Sequence, residues 1–128
     1  GAVELLERLQ ARNVQMAIAT SSVRHSFDTK MAFHPRILKP MKAVVTGDEI
    51  EHGKPAPDIF LEAARRLGAK PEACVVFEDS PHGVAAARSA GMWAVAIPDA
   101  RLPGNDFSKA HRTLSSLEEW LSELPASA

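Results

Sequence analysis

The sequence predicts an α/β fold built on a parallel sheet, and three observations carry that prediction. Short apolar runs of strand length alternate with segments of helical periodicity. Glycines, prolines and asparagines punctuate the joins between them. Small polar or acidic residues follow the apolar runs immediately, as they do where parallel strands end. The chain has 128 residues, of which 45% are hydrophobic and 24% charged, and we expect a single domain over 1–128. That apolar share belongs to a chain that folds rather than one that stays disordered.

Taken in order, Ala2, Leu5, Leu6 and Leu9 occupy one helical face, and Asn13 suits a left-handed cap behind them. The run 14–19 reads as a buried strand ending at Thr20-Ser21-Ser22. Val23, Phe27 and Met31 repeat at helical spacing, and Pro35 and Pro40 are expected to break that helix. Residues 43–45 form a second strand closed by Thr46-Gly47-Asp48, and a polar loop covers 49–57. Ile59, Ala63 and Leu67 mark a helix in which Glu62 reaches Arg65 or Arg66, with Gly68 as its stop. Residues 74–77 form a third strand running into Glu78-Asp79. Ser80 N-caps the next helix with Pro81 in its first turn, and that helix's small residues, Gly83, Ala86, Ala87 and Ala90, let it lie close on a sheet. Residues 93–97 form a fourth strand and 112–114 a short edge strand. Ser115 and Glu118 are spaced as a capping box for a last helix.

Composition also removes whole classes of function. A single cysteine, Cys74, allows no internal disulfide and reads as a small buried hydrophobe. A net charge of -1 gives no electrostatic reason to bind nucleic acid or an anionic membrane. No apolar run reaches the ~20 residues of a membrane span and no secretory leader opens the chain, so a cytoplasmic location is expected. The first residue is Gly1 rather than Met, which points to a cleaved tag or a fragment boundary.

Parallel strands bring their C-terminal ends to one edge, where ligands of open α/β sheets bind. Thr20, Ser21 and Ser22, then Asp48, then Glu78 and Asp79 all follow strands, and Lys54 lies in a loop before a helix. Hydroxyls and an ammonium suit phosphate oxygens, and an aspartate suits a hard cation such as Mg²⁺. The same residues have plainer readings: turn-forming Thr and Ser, a solvated Lys54, and an Asp79 that favours the positive end of the next helix. The five histidines (His25, His34, His52, His82 and His111) show no metal-ligand spacing.

Three segments resemble motifs of the haloacid dehalogenase-like hydrolases, in the capped phosphatase and phosphomutase branch. Ala17-Ile18-Ala19-Thr20-Ser21-Ser22 resembles the second motif, His52-Gly53-Lys54-Pro55-Ala56-Pro57-Asp58-Ile59-Phe60 the third, and Val75-Val76-Phe77-Glu78-Asp79-Ser80-Pro81-His82-Gly83-Val84 the fourth. The resemblance implies a three-layer, Rossmann-like parallel sheet. It implies phosphoryl transfer through an aspartyl-phosphate on a small phosphorylated metabolite, with Mg²⁺ as cofactor. Carried over, Thr20 and the Ser21 N–H would bind phosphoryl oxygens. Lys54 would hold nucleophile and phosphate together, Asp79 would bind Mg²⁺, and Glu78 would assist beside it. The wording is most similar to pseudouridine-phosphatase and beta-phosphoglucomutase-like proteins.

The family's first motif, a strand ending in Asp-x-Asp-Gly that supplies the nucleophile, has no counterpart here, and neither has the helical cap. The core is therefore expected to lack its first, central strand, to bind Mg²⁺ weakly or not at all, and to show no turnover alone. That strand would lie between those ending at Thr20 and Asp79. Direct pairing of the flanking strands, a second copy of the chain, or a missing N-terminal segment would complete the sheet; closure or dimerisation is the favoured outcome. Three functional readings follow: the C-terminal core portion of a phosphohydrolase, a non-catalytic truncated protein with a binding or assembly role, and a phosphomutase.

Overall fold

The computed structural model of the protein describes residues 2–123. Helix α1 (Ala2–Ala11) buries Leu5, and Asn13 follows it in the left-handed region at φ 61°. Strand β1 is confined to Ala17–Ala19, shorter than the apolar run, and Val14 before it is exposed. Helix α2 (Arg24–Met31) buries Phe27 and Met31, whereas Val23 is its exposed N-cap rather than part of the buried face. Pro35 starts a helix instead of only breaking one: α3 (Pro35–Leu38) is a single turn with Pro35 in its first position, where a missing N–H costs nothing.

Strand β2 (Ala43–Val45) runs into a 3₁₀ turn, Gly47–Glu49, and α4 (Asp58–Leu67) ends on Gly68 at φ 67°. Strand β3 (Val75–Glu78) carries Glu78 as its last residue. Helix α5 (Pro81–Ser89) is capped by Ser80, whose Oγ accepts the Gly83 N–H at 3.1 Å. Strands β4 (Trp93–Ala96) and β5 (Arg112–Thr113) follow, then α6 (Leu117–Glu123). Before that last helix the Ser115 N–H donates to Glu119 Oε1 at 2.8 Å. Cys74 stands just before β3 and is only half-buried, with Sγ on the Lys70 carbonyl at 3.4 Å. Partial burial pushes its thiol pKa up.

All strand pairings are parallel, but they form two sheets, β1-β2 and β3-β4-β5. Direct pairing of β1 with β3, one of the favoured outcomes above, does not occur: each keeps one edge without a strand neighbour among the described residues. The layers follow from strand alternation. Val76 joins Val45, Ile59, Phe60 and Val84 in a core beneath α4 and α5. Phe77 points to the opposite face, where its ring meets Trp120 of α6 edge-on at 5.3 Å. Helices thus cover both faces, and α4 and α5 hold the two sheets in one frame.

Candidate functional site

A cavity of about 670 Å³ opens between the C-terminal ends of β1 and β3. Its walls include Thr20, Ser21 and Ser22 from the first sheet, Glu78, Asp79, Ser80 and His82 from the second, and Lys54 between them. Six of the seven residues that the sequence places at this edge, Thr20, Ser21, Ser22, Lys54, Glu78 and Asp79, therefore share one cavity although they span three separate segments; Asp48 does not line it.

Lys54 is far from the solvated loop charge of its plainer reading. Its side chain is 11% exposed, as is that of Glu78, and its ammonium donates to Glu78 Oε2 at 2.9 Å. It also reaches the Ala19 carbonyl at 3.5 Å, touching the end of each sheet, and lies 5.1 Å from the Phe60 ring centroid. The peptide joining it to Pro55 is cis. The other oxygen of Glu78 accepts the Asp79 N–H at 3.2 Å and the Ser80 hydroxyl at 3.3 Å. Room for this side chain comes from Gly83, since a Cβ there would overlap the Glu78 carboxylate.

On the opposite wall, the Thr20 N–H continues the sheet to the Val45 carbonyl at 3.0 Å. Thr20 Oγ1 accepts the Ser22 N–H at 3.2 Å. That bond takes one of the two acceptor lone pairs and fixes the oxygen, and the hydroxyl proton remains to donate to a ligand. Beneath this loop, Thr46 is fully buried and donates its hydroxyl to Asp48 Oδ1 at 2.6 Å. That bond is the main cause of the lowered Asp48 pKa. The Thr46 N–H donates to Glu49 Oε2 at 2.6 Å and is the largest cause of a lowered Glu49 pKa. Arg24 and Arg66 both donate to the Val44 carbonyl, at 3.0 and 2.8 Å, and both meet Glu49.

The donor set partly fits a hard cation. Mg²⁺ takes oxygen ligands, commonly one or two carboxylates beside waters and substrate phosphate. Asp79 is exposed at the cavity wall, and among the described residues its carboxylate makes no hydrogen bond or ion pair. Glu78 has both oxygens engaged, which makes it a holder of Lys54 rather than an open ligand. No cluster of three or more His, Cys, Asp or Glu side chains that could hold a metal occurs among the described residues.

The sequence reading left out two contributors. His82, which shows no metal-ligand spacing in the sequence, lines the cavity, and Ser80, expected only as a cap, also holds Glu78. Both lie at the junction of β3 and α5, so the rule that ligands gather at strand ends would have found them.

A model of the haloacid dehalogenase-like hydrolases matches residues 1–91. The protein named probable pseudouridine-5'-phosphatase from Drosophila melanogaster is 46% identical over 134 residues, covering 98% of this chain and 58% of that one. (DL)-glycerol-3-phosphatase 1, mitochondrial, from Arabidopsis thaliana is 41% identical over 130 residues, covering 94% and 44%. Among solved structures, CbbY from Rhodobacter sphaeroides in complex with phosphate superimposes with a TM-score of 0.82 at 28% identity, covering 91% of this chain and 52% of that one. The chain spans about half the length of the curated relatives it matches. No helix among the described residues is long and apolar enough to cross a membrane.

Proposed function

Since the chain belongs to the haloacid dehalogenase-like hydrolases, we propose that it forms the phosphate- and cation-binding part of a phosphohydrolase site for small phosphorylated metabolites. The observation that carries this reading is the shared cavity, in which Lys54 stands between a hydroxyl-bearing loop and an acidic strand end. The Thr20 hydroxyl and the Ser21 N–H donate to phosphoryl oxygens. The Lys54 ammonium offsets negative charge from within a partly dry site, where that charge acts more strongly than in water. Glu78 keeps the ammonium on station, and Ser80 keeps Glu78. Asp79 is the residue that holds Mg²⁺, which when bound neutralises charge on the transferring phosphoryl group.

The attacking aspartate of this chemistry belongs to segments other than 1–128, because no Asp-x-Asp-Gly occurs in these residues. The relatives support the substrate class: a glycerol-3-phosphatase and a probable pseudouridine-5'-phosphatase are similar in sequence, and a phosphate complex is similar in structure.

The test is a titration of the 128-residue chain with inorganic phosphate, with and without Mg²⁺, followed by amide NMR. The expected result is saturable shifts at residues 20–22 and 54 that Lys54→Ala abolishes and that Asp79→Asn makes independent of Mg²⁺. Absence of any phosphate response at residues 20–22 would overturn the reading. The chain alone is expected to release no phosphate from p-nitrophenyl phosphate. Mg²⁺-dependent release that Asp79→Asn removes would show that a nucleophile lies within these residues after all.

A further inference from the structure

We infer that Gly47 is a positioning residue for the Thr20 hydroxyl, acting through the Ser21–Ser22 peptide; the inference builds on the phosphate-site reading above. The turn after β2 carries no residue of the proposed phosphate or cation machinery, yet it lies hard against the loop after β1. The Gly47 N–H donates to the Ser22 carbonyl at 2.8 Å. A Cβ built on Gly47 would overlap the Ser21 carbonyl oxygen and lie 2.9 Å from its carbonyl carbon. The obstacle is backbone, which cannot swing aside as a flexible side chain can. Gly47 does not have a positive φ, so the need for glycine here is the close approach alone.

The geometry of the peptide unit carries this contact to the site. In a trans peptide the carbonyl of one residue and the N–H of the next point in opposite directions. Seating the Ser21 carbonyl against Gly47 therefore turns the Ser22 N–H away from Gly47, and that N–H is the one that donates to Thr20 Oγ1 at 3.2 Å. That bond holds the Thr20 oxygen in place through one of its two acceptor lone pairs, and the hydroxyl proton is there to donate to a ligand. A second tie fixes the same register: the Arg24 N–H donates to Asp48 Oδ1 at 3.1 Å, so the turn holds the loop both at Ser21-Ser22 and two residues further on. Asp48 is itself held by the buried Thr46. The chain of contacts runs from a buried threonine, through a glycine with no room for a side chain, to the hydroxyl facing the cavity.

The experiment compares the 128-residue chain with Gly47→Ala, Asp48→Ala and, as a control, Gly53→Ala, where a Cβ meets nothing within 4 Å. Circular dichroism establishes that each variant folds. In Gly47→Ala the Ser22 amide proton is expected to move in the NMR spectrum and to exchange faster with solvent, with Ala17, Ile18 and Ala19 unchanged. Asp48→Ala, which keeps the glycine, is expected to speed exchange at Arg24 and to shift Ser22 less. Gly53→Ala is expected to leave all of these signals alone. Inorganic phosphate is expected to bind Gly47→Ala about tenfold more weakly, the size of one hydrogen bond to a charged group. An unmoved Ser22 amide in a folded Gly47→Ala chain, or unchanged phosphate affinity, would overturn the positioning role. If the unsubstituted chain ignores phosphate, the site reading fails by itself, and the Ser22 amide still decides the role of Gly47. Should Gly47→Ala not fold, the NMR coupling across the hydrogen bond from the Gly47 N–H to the Ser22 carbonyl in the unsubstituted chain decides it: its presence supports the close seating and its absence overturns the role.

Discussion

Lys54 and Glu78 form an ion pair in the cavity, and their shared burial makes each dependent on the other. Lys54→Met is expected to destabilise the fold by about 3 kcal/mol, because it leaves a carboxylate in a largely covered position without its counter-charge. Adding Glu78→Leu should recover much of that loss, and denaturant titration of the single and double variants checks it. Identity and order of these residues were legible from the sequence, since polar groups that directly follow apolar runs gather at one edge. The state of each side chain was not. Whether a lysine between Gly53 and Pro55 is solvated or covered depends on a carboxylate 24 positions away, and no local pattern reports that. Gly47 was equally silent, since its constraint is the backbone of Ser21, in another segment.

Among the elements, α4 shows most directly how pattern becomes structure. Its apolar face supplies Ile59, Phe60, Ala63 and Ala64 to the core, and Ile59 is 1% exposed. Ile59→Ala is expected to cost about 3 kcal/mol through lost burial and the cavity left behind, read from the shift in denaturation midpoint. On the polar face Glu62 binds both Arg65 and Arg66, and their hydrogen bonds lower its pKa from 4.5 to about 2. A depressed carboxylate contributes stability above its unfolded pKa and loses it as pH falls through the folded one. The Glu62 contribution should therefore be present above about pH 4.5 and fade towards pH 2. Acid unfolding curves of Glu62→Gln should lack that component. Helix periodicity gave α4, α5 and their caps nearly as observed. Strand bounds were less legible, since an apolar run such as 14–19 does not reveal how many of its residues find a neighbour: β1 pairs over only three.

For the whole molecule, parallel order and helices on both faces could be read in advance, but the failure of β1 to pair with β3 could not. Closing the gap would require α4 and α5, packed on different sheets and on each other, to move together. The burial they supply outweighs the hydrogen bonds a three-residue strand would gain, at about 1 kcal/mol each. Native-state hydrogen exchange should register this division. Val95 and Ala96, central and fully buried, are expected to exchange slowest, and Ala17–Ala19 well before them. Uniform protection across both sheets would contradict it. One consequence concerns the mouth of the cavity. At that edge the sheets are not spaced by a ladder of fixed 4.8 Å steps; a lysine stem reaches across from one to the other. The helices set the width of that mouth, and the ammonium is a single tie across it. A substitution that keeps the charge but alters the length, Lys54→Arg, should therefore misfit the tie while the spacing of the sheets stays as it is.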